Sequence, residues 1–195
     1  MSKRIALLSA VAFSALAITA SVVAPASAED KKMTKSEMSG EKTVMVGGAA
    51  MFPSKNIIQN AVNSKDHTTL VAAVKAAGLV ETLEGKGPFT VFAPTNAAFG
   101  KLPAGTVDTL VKPENKATLT KILTYHVVAG KLDAAALTDG KKLKTVEGED
   151  LMVKRDGNHV MIIDAKGDSS MVTISNVNQS NGVIHVIDTV LLPAS

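Results

Sequence analysis

Histidine is the residue in this chain best suited to acid–base chemistry or metal binding. It occurs at His67, His126, His159 and His185. No two of them have the H-x-H or H-E-x-x-H spacing of a metal site, and the chain has no cysteine to complete a mixed site. His67 lies among polar residues at the start of a predicted helix, which favours a solvated ring. His159 is expected on the exposed face of a strand, so no histidine metal site is predicted.

His126 and His185 lie in apolar sequence instead. His126 follows Leu119 and Leu123 at helical spacing and so extends an apolar stripe. Both rings are predicted to be buried core residues with hydrogen-bond partners, because an unsatisfied buried polar group costs about 1–3 kcal/mol. Asp188 comes three residues after His185, which places the two side chains on opposite faces of a strand and argues against one compact site.

Other catalytic arrangements find little support. No serine lies in a G-x-S-x-G elbow, and the absence of cysteine excludes thiol catalysis and iron–sulfur sites. Glu147, Glu149 and Asp150 are close in sequence, but lysine and glycine neighbours indicate a solvated turn. No catalytic motif and no cofactor is therefore predicted from the residues, although paired catalytic carboxylates remain possible in principle.

Methionine is the remaining residue type with metal-binding chemistry. Met33, Met38, Met45 and Met51 fall in the region 29–52, which mixes charges, serine and glycine without sustained periodicity. That composition predicts a flexible linker. Thioethers are soft ligands that suit Cu(I), so a copper-binding tail stays an alternative, testable by metal titration. The irregular spacing favours plain linker composition.

The first 28 residues have the pattern of a secretory signal peptide. Lys3 and Arg4 precede an apolar run from Ile5 to Ala20, and Ala26-Ser27-Ala28 fits a cleavage site. Cleavage after Ala28 lowers the formal net charge from +3 to +1. The near-neutral balance, without a basic cluster and with few aromatic residues, excludes a nucleic-acid role. No later run predicts a membrane span, so a secreted protein, extracellular or periplasmic, is expected.

Hydrophobic periodicity divides the remaining chain into a helical first half and a strand-rich second half. Apolar stripes predict helices as far as residue 124, interrupted by a strand at Phe89–Ala93, and "YHVV" from Tyr125 predicts the next strand. The segment "LMVKRDGNHVMII" predicts a hairpin with Asp156-Gly157 as a type I′ loop, which would pair Lys154 with His159. Segregated helices and strands indicate an α+β fold.

Four motifs occur in a fixed order: "TVFAPTNAAF", "LTYHVVAGKL", "LKTVEGEDL" and "SNGVIHVIDTVLLP". They resemble the first signature block, the Tyr-His motif, the central strand and the second signature block of the fasciclin domain family. The resemblance covers residues 53–193. It implies a β-sandwich or wedge with several helices packed on one side. It also implies a secreted or surface-bound, non-enzymatic protein that binds a cell-surface or extracellular-matrix protein or glycan.

The resemblance also assigns roles to single residues. It implies that six residues are framework positions: Asn96, Phe99, Tyr125, His126, His185 and Asp188. Asn96 is expected to help cap the short helix that begins beside it. Some animal members use an Asp-Ile pair before the last strand to engage integrins. The matching residues here are Asn176 and Val177, so cation-assisted integrin binding is not expected. The pair is still a candidate exposed contact loop.

The sequence thus favours an exported adhesion or protein-binding module. The rival class is a small-ligand binding protein or a hydrolase of the cell envelope. A cleft with two convergent groups of shifted pKa would favour the rival, whereas adhesion requires only an exposed surface patch.

Overall fold

The computed structural model describes residues 42–194. Within this range the chain forms nine β-strands and six α-helices. Short 3-10 turns at Lys65–His67, Pro113–Asn115 and Ala134–Ala136 separate some of them. In chain order they are β1 Val44–Val46, β2 Ala49–Met51, α1 Ile57–Ala61, α2 Thr68–Ala77, α3 Val80–Glu84, β3 Phe89–Pro94, α4 Asn96–Gly100, α5 Thr106–Leu110, α6 Lys116–Tyr125, β4 Val127–Ala129, β5 Lys142–Lys144, β6 Asp150–Asp156, β7 His159–Ile163, β8 Ser169–Gln179 and β9 Gly182–Ile187.

Local sequence explains where several helices begin and end. Asn56 caps α1 and forms a reciprocal pair of hydrogen bonds with Gln59, the capping box. Thr95 caps α4 by accepting a hydrogen bond from the Ala98 N–H. Gly78 ends α2 with φ of 74°, a left-handed conformation that glycine adopts without a steric penalty.

Seven strands form one sheet in the order β4-β3-β9-β8-β7-β6-β5. Strands β3 and β9 pair in parallel, and the other neighbours pair antiparallel. The sheet curls so far that its two edge strands, β4 and β5, approach each other. Val128 in β4 forms a bridge with Thr145, which follows β5, and the Val146 N–H donates to the Val127 carbonyl. The α+β class and the helix-covered β-sheet architecture are confirmed.

Two apolar clusters fill the fold. One contains residues of α1, α2, α4 and α6 packed on one face of β3 and β9, for example Val91 and Ile184. The other lies within the curled sheet and includes Phe92, Tyr125 and Ile187. The parallel pair β3–β9 therefore contributes to both clusters, which is why it has no solvent face.

Two expectations about the chain path are wrong. Residues 42–52 are not linker, because β1 and β2 form a hairpin whose Val46 and Met51 are buried in the first cluster. Apolar residues on both sides of the Gly47-Gly48 turn are the sequence signal for this hairpin. Residues 29–41 and the signal-peptide segment lie outside the described residues. Tyr125 was expected in a strand but ends α6.

The register of the β6–β7 hairpin also differs from expectation. His159 pairs with Asp156, and Lys154 pairs with Met161, so the two-residue loop is Gly157-Asn158. Gly157 has φ of 57° and stands first in this loop, the position where a type II′ turn requires glycine. The expected type I′ loop placed it second. Both registers leave the same residues on the exposed face.

Candidate functional site

His126 is held at the junction of α6 and β4. It is 2% exposed, as the apolar stripe predicts. Its Nδ1 lies 2.7 Å from the Ile122 carbonyl, and its Nε2 lies 3.0 Å from the Leu191 N–H. A carbonyl only accepts and an N–H only donates, so the ring is neutral with its proton on Nδ1. Burial lowers the pKa of His126 to about 4, against the raising effect of the Ile122 carbonyl.

Tyr125 extends the same framework into the second cluster. Its hydroxyl accepts a hydrogen bond from the Ala165 N–H at 2.8 Å. Burial raises the pKa of Tyr125 to about 12, so the phenol stays protonated. Asp164 next to it accepts from the Leu192 N–H and thereby fixes the C-terminal segment beside His126. The Tyr-His motif therefore joins α6 to the chain end.

His185 sits in the middle of β9 and is fully buried. Its Nε2 lies 2.8 Å from the Leu132 carbonyl, and its Nδ1 accepts from the Asn176 N–H at 3.4 Å. The ring stacks on Phe92 with 5.7 Å between centroids. Burial lowers the pKa of His185, although the Leu132 carbonyl and Asp133 act in the opposite direction.

Asp188 follows β9 and contacts a different set of groups. Its carboxylate accepts from the Met171 N–H at 2.9 Å and pairs with Lys101 Nζ at 3.3 Å. Partial burial on its own raises the pKa of this carboxyl group. Hydrogen bonds from Met171 and Thr189, together with Lys101, outweigh that effect, so the pKa of Asp188 lies below its usual range. His185 and Asp188 share none of these partners, in agreement with two separate structural positions.

Asn96 caps a helix other than the one expected. Thr95 caps α4, whereas the Asn96 Oδ1 accepts from the Thr69 N–H at 3.0 Å, in the first turn of α2. Its Nδ2 donates to the Lys65 carbonyl at 2.8 Å. Asn96 therefore ties two helical segments together across 27 residues of sequence. Phe99, from the same block, is buried in the first apolar cluster.

His67 is not solvated, contrary to expectation. It is 3% exposed, and its Nδ1 lies 2.9 Å from Ser64 Oγ. Its Nε2 is buried without a hydrogen-bond partner among the described residues. Burial lowers the pKa of His67, while the neighbouring Ala93 carbonyl and Asp66 raise it. The polar local sequence was misleading because the short helical turn at Lys65–His67 turns this ring towards the core.

A cavity of about 40 Å³ lies between helices α1–α3 and strands β3 and β9. Apart from His67 and His126, every residue that lines it is apolar. Two rings of lowered pKa therefore meet one cavity, but His126 has both nitrogens bonded to backbone. The cavity holds no serine, lysine or carboxylate in its lining, so it suits an apolar guest rather than a hydrolytic reaction.

The candidate contact pair Asn176–Val177 is split by the structure. Val177 is 1% exposed and belongs to the first apolar cluster, so its assignment to an exposed loop is wrong. Asn176 is exposed, has φ of 57°, and its Oδ1 accepts from the Ala134 N–H at 2.7 Å. The two residues lie within β8, where successive side chains point to opposite faces of the sheet, and the register with β9 shifts between Ile174 and Val177.

Sequence reasoning missed Asn181, which precedes β9 and is 7% exposed. Its Oδ1 accepts from the Ile57 N–H, and its Nδ2 donates to the carbonyls of Leu83 and Gly85. The Asn-Gly pair at 181–182 was read only as part of a motif. An asparagine in so apolar a segment was the available signal, because a buried amide needs several partners.

Within residues 42–194, no group of three or more His, Cys, Asp or Glu side chains is placed to hold a metal ion. No helix in that range has the length and apolar character needed to cross a membrane.

Known proteins share this framework. Protein sll1483 of Synechocystis sp. is 51% identical over 154 residues, covering 78% of this chain and 82% of the relative. Immunogenic protein MPB70 of Mycobacterium bovis is 41% identical and covers 68% of this chain and 66% of its own length. Cell surface glycolipoprotein MPB83 of the same species is 39% identical, over 76% of this chain and 64% of the relative.

A solved structure has the same fold. It is a FAS1 domain pair from the insect cell adhesion molecule fasciclin I, with a TM-score of 0.65 and 19% identity. The match covers 72% of this chain and 52% of that one. The sequence profile of the Fasciclin domain matches residues 65–193, a range that contains the Tyr-His motif and both signature blocks. The chain belongs to the fasciclin domain family.

Proposed function

We propose that the chain is an exported, non-catalytic adhesion or protein-binding module that acts at the cell surface or in the surrounding matrix. The observation that carries this proposal is the internal use of its signature polar side chains. His126 and His185 have both ring nitrogens bonded to backbone, so neither has a nitrogen left for a substrate. The names of two similar proteins, a cell surface glycolipoprotein and an insect cell adhesion molecule, support the same conclusion.

Export rests on the sequence of the first 28 residues. Ala26 and Ala28 fit the positions that a signal peptidase requires, so the mature chain begins at Glu29 in this proposal. N-terminal sequencing of the protein recovered from the cell envelope and from the medium tests this and separates periplasm from medium. A chain that starts at Met1, or that retains the run Ile5 to Ala20, would contradict export by cleavage.

Asn176 is the contact residue in this proposal. It is exposed at the irregularity of β8, next to the short helical turn Ala134–Ala136 that it contacts. Polar side chains on irregular backbone held by a rigid sheet are typical of binding surfaces. The partner would be a cell-surface or matrix protein or a glycan.

An attachment assay tests the module. Cells of the producing organism are added to surfaces coated with the mature chain, with unfolded chain as the blank. Asn176→Gly keeps the positive φ while removing the amide, and we expect it to reduce attachment. Asn158→Gly, in the exposed hairpin loop, is the matched control and should attach normally. Attachment no better than to the blank would reject the adhesive function.

The cavity favours a second candidate function, the binding of a small apolar molecule. Among the described residues His67 Nε2 has no hydrogen-bond partner, and the wall on which it lies is apolar except for His126. A guest with one hydroxyl or carbonyl group would satisfy this atom and displace no polar side chain. Extraction of the protein purified from its own host, followed by mass spectrometry, tests this candidate. An empty protein that also fails to bind short-chain alcohols would exclude it.

A further inference from the structure

The exposed face of strands β6, β7 and β8 carries three methionines and a histidine. Met152 lies on β6, His159 and Met161 on β7, and Met171 on β8. Met161 pairs directly with Met171, and Met152 pairs with Ile163, two residues from Met161. Because side chains alternate along a strand, all four project from the same face of the sheet.

The register fixes their approximate spacing. Directly opposite residues such as Met161 and Met171 have Cβ atoms about 4.5–5.5 Å apart, and diagonal neighbours such as Met152 and Met161 about 7–8 Å. His159 and Met161 are two residues apart on one strand, or about 6.6 Å. A methionine side chain has three rotatable bonds, so the sulfur atoms of Met161 and Met171 can meet the His159 ring at one point. Met152 does not reach that point, because it lies opposite Ile163, four residues or about 13 Å along β7 from His159.

Packing of the described residues does not explain the three thioethers. Their neighbours on the opposite face, such as Leu151 and Ile162, are fully buried in the second apolar cluster. Met152 is 42% exposed and Met171 is 41% exposed, so each leaves much of its apolar surface in water. Single exposed apolar residues are ordinary, but here every methionine after residue 51 falls on one small area of sheet.

Thioethers and imidazole together have a specific chemistry. Both are ligands for Cu(I), and soft thioethers discriminate against hard cations such as Mg²⁺ and Ca²⁺. We propose that Met161, Met171 and His159 form a binding site for a soft monovalent cation, Cu(I), on the outer face of the sheet. The site is independent of the adhesive function and uses none of the residues assigned to it.

The charges beside the site nearly balance. Lys154 lies opposite Met161 and disfavours a cation, whereas Asp156 lies opposite His159 and favours one. Both side chains are exposed and can turn away from the bound ion. Thioethers are neutral, so their bonds to the metal, rather than net charge, determine the affinity of this site.

Titration of the mature chain with Ag(I), a redox-inert substitute for Cu(I), tests the proposal. With methionine methyl groups labelled by ¹³C, we expect one equivalent of Ag(I) to shift the signals of Met161 and Met171 and to leave the signal of Met152 nearly unchanged. Met161→Leu, which conserves side-chain volume, should weaken binding about tenfold or more, and the double leucine variant of Met161 and Met171 should abolish it. Met45→Leu, at a methionine that is 59% exposed on β1, is the matched control and should bind normally.

The methionines of the N-terminal region are the competing source of thioethers. If Met33→Leu combined with Met38→Leu abolishes Ag(I) binding while the double sheet variant retains it, the proposal is wrong. The absence of methyl shifts at Met161 and Met171 in the wild-type chain also overturns it. This wild-type readout needs no variant to fold. Unchanged urea unfolding of the leucine variants confirms that lost binding reflects lost ligands.

Discussion

The central pair β3–β9 and the antiparallel strands β5–β8 show opposite burial patterns. All six residues of β9 are buried, whereas β6 alternates buried and exposed residues from Asp150 to Lys154. The reason is the layer structure: helices cover one face of β3–β9 and the curled sheet covers the other, while β5–β7 have one apolar cluster behind them and water in front.

This difference separates residues that maintain the fold from residues free to bind. Strand β9 of the second signature block has no face that reaches solvent, so its histidine is bonded internally. A change in β9 should therefore act on the free energy of unfolding. A change on the outer face of β6–β8 should leave stability intact and act on what the surface binds. The four predictions that follow test this division.

The largest effect is expected at the β3–β9 contact. A Cβ on Gly182 would lie 2.1 Å from the Phe89 carbonyl oxygen, which belongs to backbone and cannot rotate away. We expect Gly182→Ala to lower the free energy of unfolding by about 4 kcal/mol or more, measured by urea unfolding. Gly100→Ala is the control, because its Cβ meets no atom within 4 Å and should cost nothing. Equal stability of the two variants would refute the close-packed pair.

His126→Ala should be the next most damaging change. It removes a buried ring and leaves the Ile122 carbonyl and the Leu191 N–H without partners. We expect a loss of roughly 2–4 kcal/mol in the free energy of unfolding. His159→Ala, on the exposed face, is the control and should change stability by about 0.5 kcal/mol at most. A His126→Ala variant of normal stability that no longer attaches cells would make His126 a functional residue.

Acid should destabilise the fold through its buried histidines. Burial lowers the pKa of His126 from 6.5 to about 4 and also lowers the pKa of His67 and His185. The unfolded chain therefore takes up these protons at higher pH than the folded chain does. Stability is complete above about pH 6.5 and falls as the pH drops towards 4, by about 3 kcal/mol for His126 alone.

Two measurements check this pH dependence. Urea unfolding at about pH 7 and about pH 5 should show the decrease, and NMR should show a neutral His126 ring at both values. A free energy of unfolding that stays level or rises on acidification would contradict the assignment of three neutral buried rings.

The smallest effect is expected on the outer face of β6. Met152→Ala should change the free energy of unfolding by about 0.5 kcal/mol or less, because its side chain is 42% exposed. Its neighbour Leu151 is fully buried, and Leu151→Ala should cost about 2–5 kcal/mol. Leu151 and Met152 are neighbours in one strand and point to opposite faces of the sheet. Chemical denaturation of the two variants therefore compares the loss of a buried side chain with the loss of an exposed one. Equal losses would show that the outer face is packed in solution.

The element types were largely predictable, and the exact contacts were not. Apolar spacing predicted the helices and the strand-rich second half, and the stripe that includes Leu119 predicted the burial of His126. Polar neighbours misplaced His67, because the turn at residues 65–67 points its ring towards the core. Alignment with the family motif misplaced Val177, which lies on the buried side of β8. Side chains alternate between faces along a strand, so neighbouring residues of one motif can differ fully in exposure.

By itself the sequence determined the family, the class of fold and the burial of His126. These follow from ordered motifs and from local hydrophobic periodicity, both of which are visible without knowing which residues are in contact. The tertiary structure alone decided that Asn96 caps α2, that Asn181 joins β9 to α1 and α3, and that three methionines share one face. Each depends on a partner 9 to 124 residues away, whose register is set by packing rather than by spacing along the chain.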